Sequence, residues 1–185
     1  MAARKGPNLL GFSRYSAAAS GLYAALVEQA RRPVFYASLG VPDTVDGRFE
    51  MVALHMFLVL HRLKAEPGTE AFAQALFDTM FADMDRSLRE MGVSDLSVGR
   101  HVKNMAKGLY GRIAAYEGGL HDATGAMLTE ALRRNVYGTL TTPPDATPLA
   151  AYLRASAASL ALQDAAGIMA GGPRFAATES AGGVH

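Results

Sequence analysis

RPVFYASLGVPDTVDGRFEMVALHMFLVLHRLK, residues 32–64, joins an aromatic turn to a loop punctuated by Pro42, Asp43 and Asp46, and then to a helix that is apolar nearly all round. Met51, Val52, Ala53, Leu54, Met56, Phe57, Leu58, Val59, Leu60 and Leu63 leave no wide polar face. Such a helix requires cover on several sides, from other helices or from a partner. Asp43 and Asp46 are the candidate N-caps for it. His61, Arg62 and Lys64 close it with positive charge where the helix dipole favours cations.

Working outward, a helix is predicted over about 13–31, with Ala18, Leu22, Ala25 and Leu26 as its apolar stripe and Pro33 as its stop. Val34–Leu39 fit one short helical turn. Beyond Pro67 and Gly68, Leu76, Phe77, Met80, Met84, Leu88 and Met91 share one face of a helix over 69–91, ended by Gly92. On its exposed side Asp83–Arg86 and Asp85–Arg89 are spaced to pair. Asp95 or Ser97 caps the next helix, 97–117, in which Val98, Val102, Met105, Leu109, Ile113 and Tyr116 line one face. Arg100, Lys103 and Lys107 line the other, and Arg112, near the border, is placed to pair with an acid inside the bundle. Further helices are predicted over 122–137 and 149–169. The expectation is an all-α, single-domain bundle of six to seven helices around the central apolar one. Residues 1–12 read as a flexible arm, 13–170 as the domain, and the Gly-, Ala- and Ser-rich residues 171–185 as a disordered tail.

The chain of 185 residues is long enough for one sizeable core. It has no cysteine, which excludes disulfides, thiol catalysis and zinc–thiolate sites. A formal charge of +1 argues against a protein built to neutralise DNA phosphates. No apolar run is long enough to span a membrane, and the N-terminal LLGF is too short for a signal-peptide core. The chain reads as cytoplasmic, with peripheral contact at a membrane open to it.

Candidate chemistry is sparse. His55 and His61 lie six apart on one helix, so they do not face one metal, and neither HExxH nor Glu-x-x-His spacing is present. His55 reads as a hydrogen-bonded core histidine. Asp43–Gly47 lacks the alternating acids and terminal Glu of a calcium loop. No nucleophile elbow, Walker loop or dinucleotide fingerprint occurs. No metal, cofactor or small-molecule substrate is expected. Charge is nevertheless segregated: residues 66–95 hold seven acids and two bases, and residues 97–116 four bases and no acid. Either the two helices neutralise one another, or Arg100, Lys103 and Lys107 face an anionic partner. The methionines are read mainly as core, with a flexible apolar binding surface as the alternative.

RRPVFYASLGVPDTVDGRFEMVALHMFLVLHRL followed by AQALFDTMFADMDRSLREMGVSDLSVGRHVKNMAKGLYGRIAAY resembles the ubiquinol–cytochrome c chaperones, assembly factors of the cytochrome bc1 complex known from mitochondria and related bacteria. The resemblance rests on the Phe35-Tyr36 turn with Gly40, the Asp43–Phe49 loop, the Phe77–Asp85 acidic block and Asp95-Leu96-Ser97. It implies a non-enzymatic chaperone whose client is newly made cytochrome b, acting at the cytoplasmic face of the inner membrane. For client contact it directs attention to Phe35, Tyr36, Asp43, Asp46, Arg48 and Phe49, with core packing at the mouth of the bundle as the other reading of Phe35, Tyr36 and Phe49, and a structural Asp–Arg pair as the other reading of Asp46 and Arg48. Arg100, Lys103 and Lys107 are the candidates for contact with a ribosome or an anionic inner-membrane surface. Two other readings stay open: a membrane-surface or ribosome-binding module, and a small cofactor-binding enzyme using His55 and the Asp78–Asp85 region.

Overall fold

A computed structural model describes residues 9–178, with side chains from Tyr15 onward except that of Leu96. The described residues form eight helices and no strand: α1 (Leu9–Ala30), α2 (Pro33–Ala37), α3 (Val45–Lys64), α4 (Glu70–Glu90), α5 (Asp95–His121), α6 (Ala126–Val136), α7 (Thr147–Ala161) and α8 (Ala165–Met169). α2 and α8 are five residues each, so six longer helices carry the fold. The expected all-α bundle around a central apolar helix is the observed one.

α3 is that centre. It packs against α1, α4, α5, α6, α7 and α8. Ala53 to Leu60 are all buried, eight consecutive residues covering every face of the helix, with Met51 and Leu63 extending the run. The chain therefore covers its own greasiest helix, and the question its sequence raises is answered within the bundle. Met51, Met56, Met80 and Met84 are core, while Met91 and Met127 are exposed.

Local chemistry moved several helix boundaries from where periodicity puts them. Thr44, not Asp43 or Asp46, caps α3: its backbone is extended and its side chain accepts from Gly47 N at 3.1 Å. Asp43 is engaged elsewhere, by Arg48. Ser94 rather than Asp95 or Ser97 is the cap residue of α5, and Asp95 lies in the first turn, paired with Arg89. α5 continues through Gly118 and Gly119 to His121. A Cβ on Gly119 would lie 2.7 Å from Leu128 Cα, so glycine here serves a close α5–α6 approach and does not end the helix. The α5 C-terminus is closed by Arg154 of α7, whose guanidinium donates to the carbonyls of Gly119, Leu120 and Asp122. Asp122 accepts from Thr124 N and Met127 N, which delays α6 to Ala126. The helix predicted over 149–169 is two helices, because the Asp164 side chain accepts from Gly167 N and starts α8 afresh.

The expected arm at 1–12 lies outside the described residues as far as residue 8, and α1 is already helical from Leu9. Within the expected tail, residues 171–178 are docked. Phe175 packs on the core, and the Arg174 and Ala176 backbone is bound by side chains of α7 and the turn after it. Composition suggested disorder there because small residues dominate, but one aromatic and a set of backbone hydrogen bonds suffice to hold it. Residues 179–185 lie outside the described residues.

Candidate functional site

The turn between α2 and α3 is rigidly built. Tyr36 donates its hydroxyl to Ala30 O (2.9 Å), and Val41 N returns to Phe35 O (3.0 Å). Gly40 takes a positive φ of 67°, which glycine adopts without strain, and the buried Tyr137 hydroxyl donates to Leu39 O at 2.8 Å. Gly47 has no room for a side chain, since a Cβ would lie 2.0 Å from Pro42 O. The loop is thus pressed against the first turn of α3.

On that base the six candidate residues divide. Phe35 is fully buried, edge-on to His55 and Tyr152, so it positions the turn and presents nothing to a partner. Its aromatic ring gains more from the core than from water, and of its two readings it takes the core-packing one. Tyr36 is half-buried. Asp43 and Arg48 form an exposed pair at 2.7 Å, and the Arg48 bond holds the Asp43 carboxyl below its ordinary range. Asp46 and Val45 are exposed beside them, Val45 by 67%. Phe49 is half-buried under the Arg112 guanidinium, 5.5 Å from ring centre to Cζ.

Arg112 finds the internal acid that its border position called for. It grips the buried Glu50 through both nitrogens, Nε–Oε2 at 2.6 Å, with Nη2 on Oε1. Burial pushes the Glu50 carboxyl up, with the Arg112 bonds opposing it. Gly108 makes the path possible: a Cβ there would lie 2.8 Å from Arg112 Nη1. The result is a ledge in which Phe49, Arg112 and Glu50 lock the start of α3 onto α5, below the exposed Asp43, Asp46 and Arg48.

Arg100, Lys103 and Lys107 are all exposed, and among the described residues none pairs with a carboxylate. They do not join the ledge. Nine residues separate Lys103 from Arg112, about 180° around α5. Turn and basic face are two surfaces on opposite sides of one helix. Among the described residues, edge neutralisation between α4 and α5 is limited to Arg89–Asp95. Beside the basic face, Tyr110 lies against Phe77, which stacks on Phe81. That aromatic strip escaped sequence reading because two helices share it.

The enzyme reading loses its parts. His55 is wholly enclosed: Nδ1 donates to Met51 O (2.7 Å) and Nε2 accepts from the Tyr152 hydroxyl (2.8 Å), which itself accepts from Gln29 (3.1 Å). Burial depresses its pKa to about 4, so it is neutral at pH 7 and fully satisfied. The α4 acids do not converge on it. Asp83 takes the Tyr23 hydroxyl and Arg86, Asp85 takes Arg89, and Asp78 accepts from Gln74. Among the described residues no group of three or more His, Asp or Glu is placed to hold a metal ion. No described helix is long and apolar enough to cross a membrane. The residues that sequence reasoning missed are Gln163 and Phe175. Phe175 had one available signal, as the only aromatic after Tyr152.

Three comparisons bear on identity. The ubiquinol-cytochrome C chaperone family model matches residues 37–175, from the end of α2 through Phe175. The chain is 25% identical over 120 residues to ubiquinol-cytochrome-c reductase complex assembly factor 1 of Xenopus laevis, covering 64% of this chain and 60% of that one. It is 31% identical over 108 residues to the mitochondrial protein CBP3 of Saccharomyces cerevisiae, covering 56% and 32%. The chain thus spans less than two thirds of these relatives. The crystal structure of the Cbp3 homolog from Brucella abortus superposes with a TM-score of 0.79 at 37% identity, covering 90% of this chain and 93% of that one. The Xenopus laevis relative is named as an assembly factor of the ubiquinol-cytochrome-c reductase complex. With well over half its length matched and its fold shared with a Cbp3 homolog, the chain belongs to the ubiquinol-cytochrome C chaperone family.

Proposed function

We propose that this protein is a non-enzymatic assembly chaperone of the cytochrome bc1 complex, that its client is newly made cytochrome b, and that it works at the cytoplasmic face of the inner membrane. The observation that carries the reading is the α2–α3 turn: an exposed Asp43–Arg48 pair with Asp46 and Val45, set on the buried Glu50–Arg112 lock. A rigid polar rim beside two half-buried aromatics, Tyr36 and Phe49, suits orientation of a loop on a larger protein better than it suits chemistry. A photo-crosslinking side chain at Val45 tests it directly. Adducts with cytochrome b during its synthesis support the reading, together with loss of bc1 complex in a deletion strain. Normal bc1 levels after clean deletion overturn it.

A second surface is favoured by one observation, the unpaired Arg100, Lys103 and Lys107 beside Tyr110, which is 58% exposed. Cations next to a partly sunk aromatic suit an anionic surface, either lipid headgroups or ribosomal RNA. Salt-sensitive binding to anionic vesicles or ribosomes, lost on charge reversal at these three positions, is the predicted signature. Binding that ignores the reversals removes it.

A further inference from the structure

The segment 173–178 lies in a trough between the C-terminal half of α1 and α7, above His55 of α3. We infer that this trough is a binding site for an extended peptide segment carrying an aromatic side chain, and that the chain's own residues 173–178 occupy it until such a segment displaces them. The inference goes beyond the identity of the client and does not depend on it.

The trough reads backbone. The Gln163 carboxamide donates to Arg174 O (2.6 Å) and accepts from Arg174 N (2.8 Å), the donor–acceptor pair that a neighbouring strand would present. Ser159 Oγ donates to the same carbonyl at 2.9 Å, and Ser156 Oγ accepts from Ala176 N at 3.2 Å. Positions 156, 159 and 163 fall on one face of a helix and the turn that ends it. None of these four bonds involves a side chain of the docked segment, so another sequence can make them equally well.

One side chain is read. Phe175 stands edge-on to His55, 4.9 Å between ring centres at 88°, and is only partly buried. Beside it a cavity of about 280 Å³ opens among Ala25, Gln29, Arg32 and Pro173. The native segment therefore leaves its aromatic seat partly filled. Ala177 and Thr178 themselves border a cavity of about 770 Å³ lined also by Leu39, Gly40, Pro144 and Tyr152, which reaches the α2–α3 turn. A longer extended segment would bury both spaces, and it competes with an intramolecular one whose tether adds a local concentration on the order of millimolar to its direct contacts.

The test uses a fluorescein-labelled peptide with the sequence of residues 172–178, GPRFAAT, its phenylalanine-to-alanine variant, and the full-length chain. The GPRFAAT peptide is expected to bind Phe175→Ala protein at least tenfold more tightly than wild type, because the seat is vacated. The variant peptide, and a Phe175→Ala/Gln163→Ala double variant, should lose that gain. Equal affinity for wild type and Phe175→Ala, or no binding to a Phe175→Ala chain whose circular dichroism and melt show it folded, overturns the proposal. Should Phe175→Ala not fold, a second variant decides. Because the chain has no cysteine, Ser156→Cys/Ala176→Cys places a single disulfide that pins the segment. Oxidation is expected to cut peptide binding at least tenfold relative to the reduced form, and binding unchanged by oxidation overturns the inference.

Discussion

The Tyr152 hydroxyl donates to Nε2 of His55 at 2.8 Å, linking α7 to the centre of α3. With Nδ1 donating to Met51 O, both ring nitrogens are used and the ring is held neutral. Protonation would bury a charge in the core and force the Tyr152 hydroxyl to turn from donor to acceptor. The folded pKa of about 4 lies below the unfolded value of 6.5, so this group's contribution to stability is complete above pH 6.5. It is lost as pH falls from 6.5 to about 4, amounting to about 3 kcal/mol at its limit. Urea unfolding from pH 7.5 to 4.5 should show that decline. His55→Gln should flatten it, because glutamine does not titrate in this range, and an equally steep decline in that variant would reassign the effect.

Arg112 and Glu50 predict a larger and more local effect. Arg112→Ala leaves a carboxylate buried without its partner, at a cost of about 3–5 kcal/mol. Glu50→Leu/Arg112→Met, which removes both charges, should restore most of that loss. A double-mutant cycle read by urea melts measures the coupling.

Glycine substitutions separate two kinds of close approach. A Cβ at Gly108 meets only the far end of a flexible side chain, and one at Gly47 meets a backbone carbonyl at 2.0 Å. Gly108→Ala should therefore cost about 1 kcal/mol through the displaced guanidinium, and Gly47→Ala at least about 2 kcal/mol, because the α2–α3 loop itself must move. Thermal melts of the two variants provide the comparison, and the reverse order would contradict the geometry.

The apolar run of α3 was legible because burial on every face leaves a composition with no polar stripe, and the pairs Asp83–Arg86 and Asp85–Arg89 because they are local in sequence. Arg112 was legible as a residue in need of an acid, but not its partner, since Glu50 lies 62 positions away and only packing joins them. Phe35 and Phe49 look alike in sequence, and tertiary context sends one into the core and leaves the other at its edge. The trough was illegible because its bonds are made to backbone, which has no sequence signature, by Ser156, Ser159 and Gln163, which read as ordinary residues in an alanine-rich helix and its final turn.

The exposed pair Asp43–Arg48 offers the cleanest separation of function from stability. Both side chains are more than half exposed, so water and salt screen the pair and its removal should leave the urea midpoint unchanged. Beneath them Thr44 keeps the α3 cap and Gly47 its contact with Pro42, neither of which uses the two charges. If the turn orients cytochrome b, Asp43→Ala/Arg48→Ala should reduce crosslinking from Val45 severalfold and lower bc1 content while the protein melts as wild type does. Reversing the pair to Asp43→Arg/Arg48→Asp keeps the ion pair and inverts the charge pattern that a partner meets. Loss of crosslinking in that variant too would show that the pattern is read, and full retention in both variants would move the client contact away from this turn.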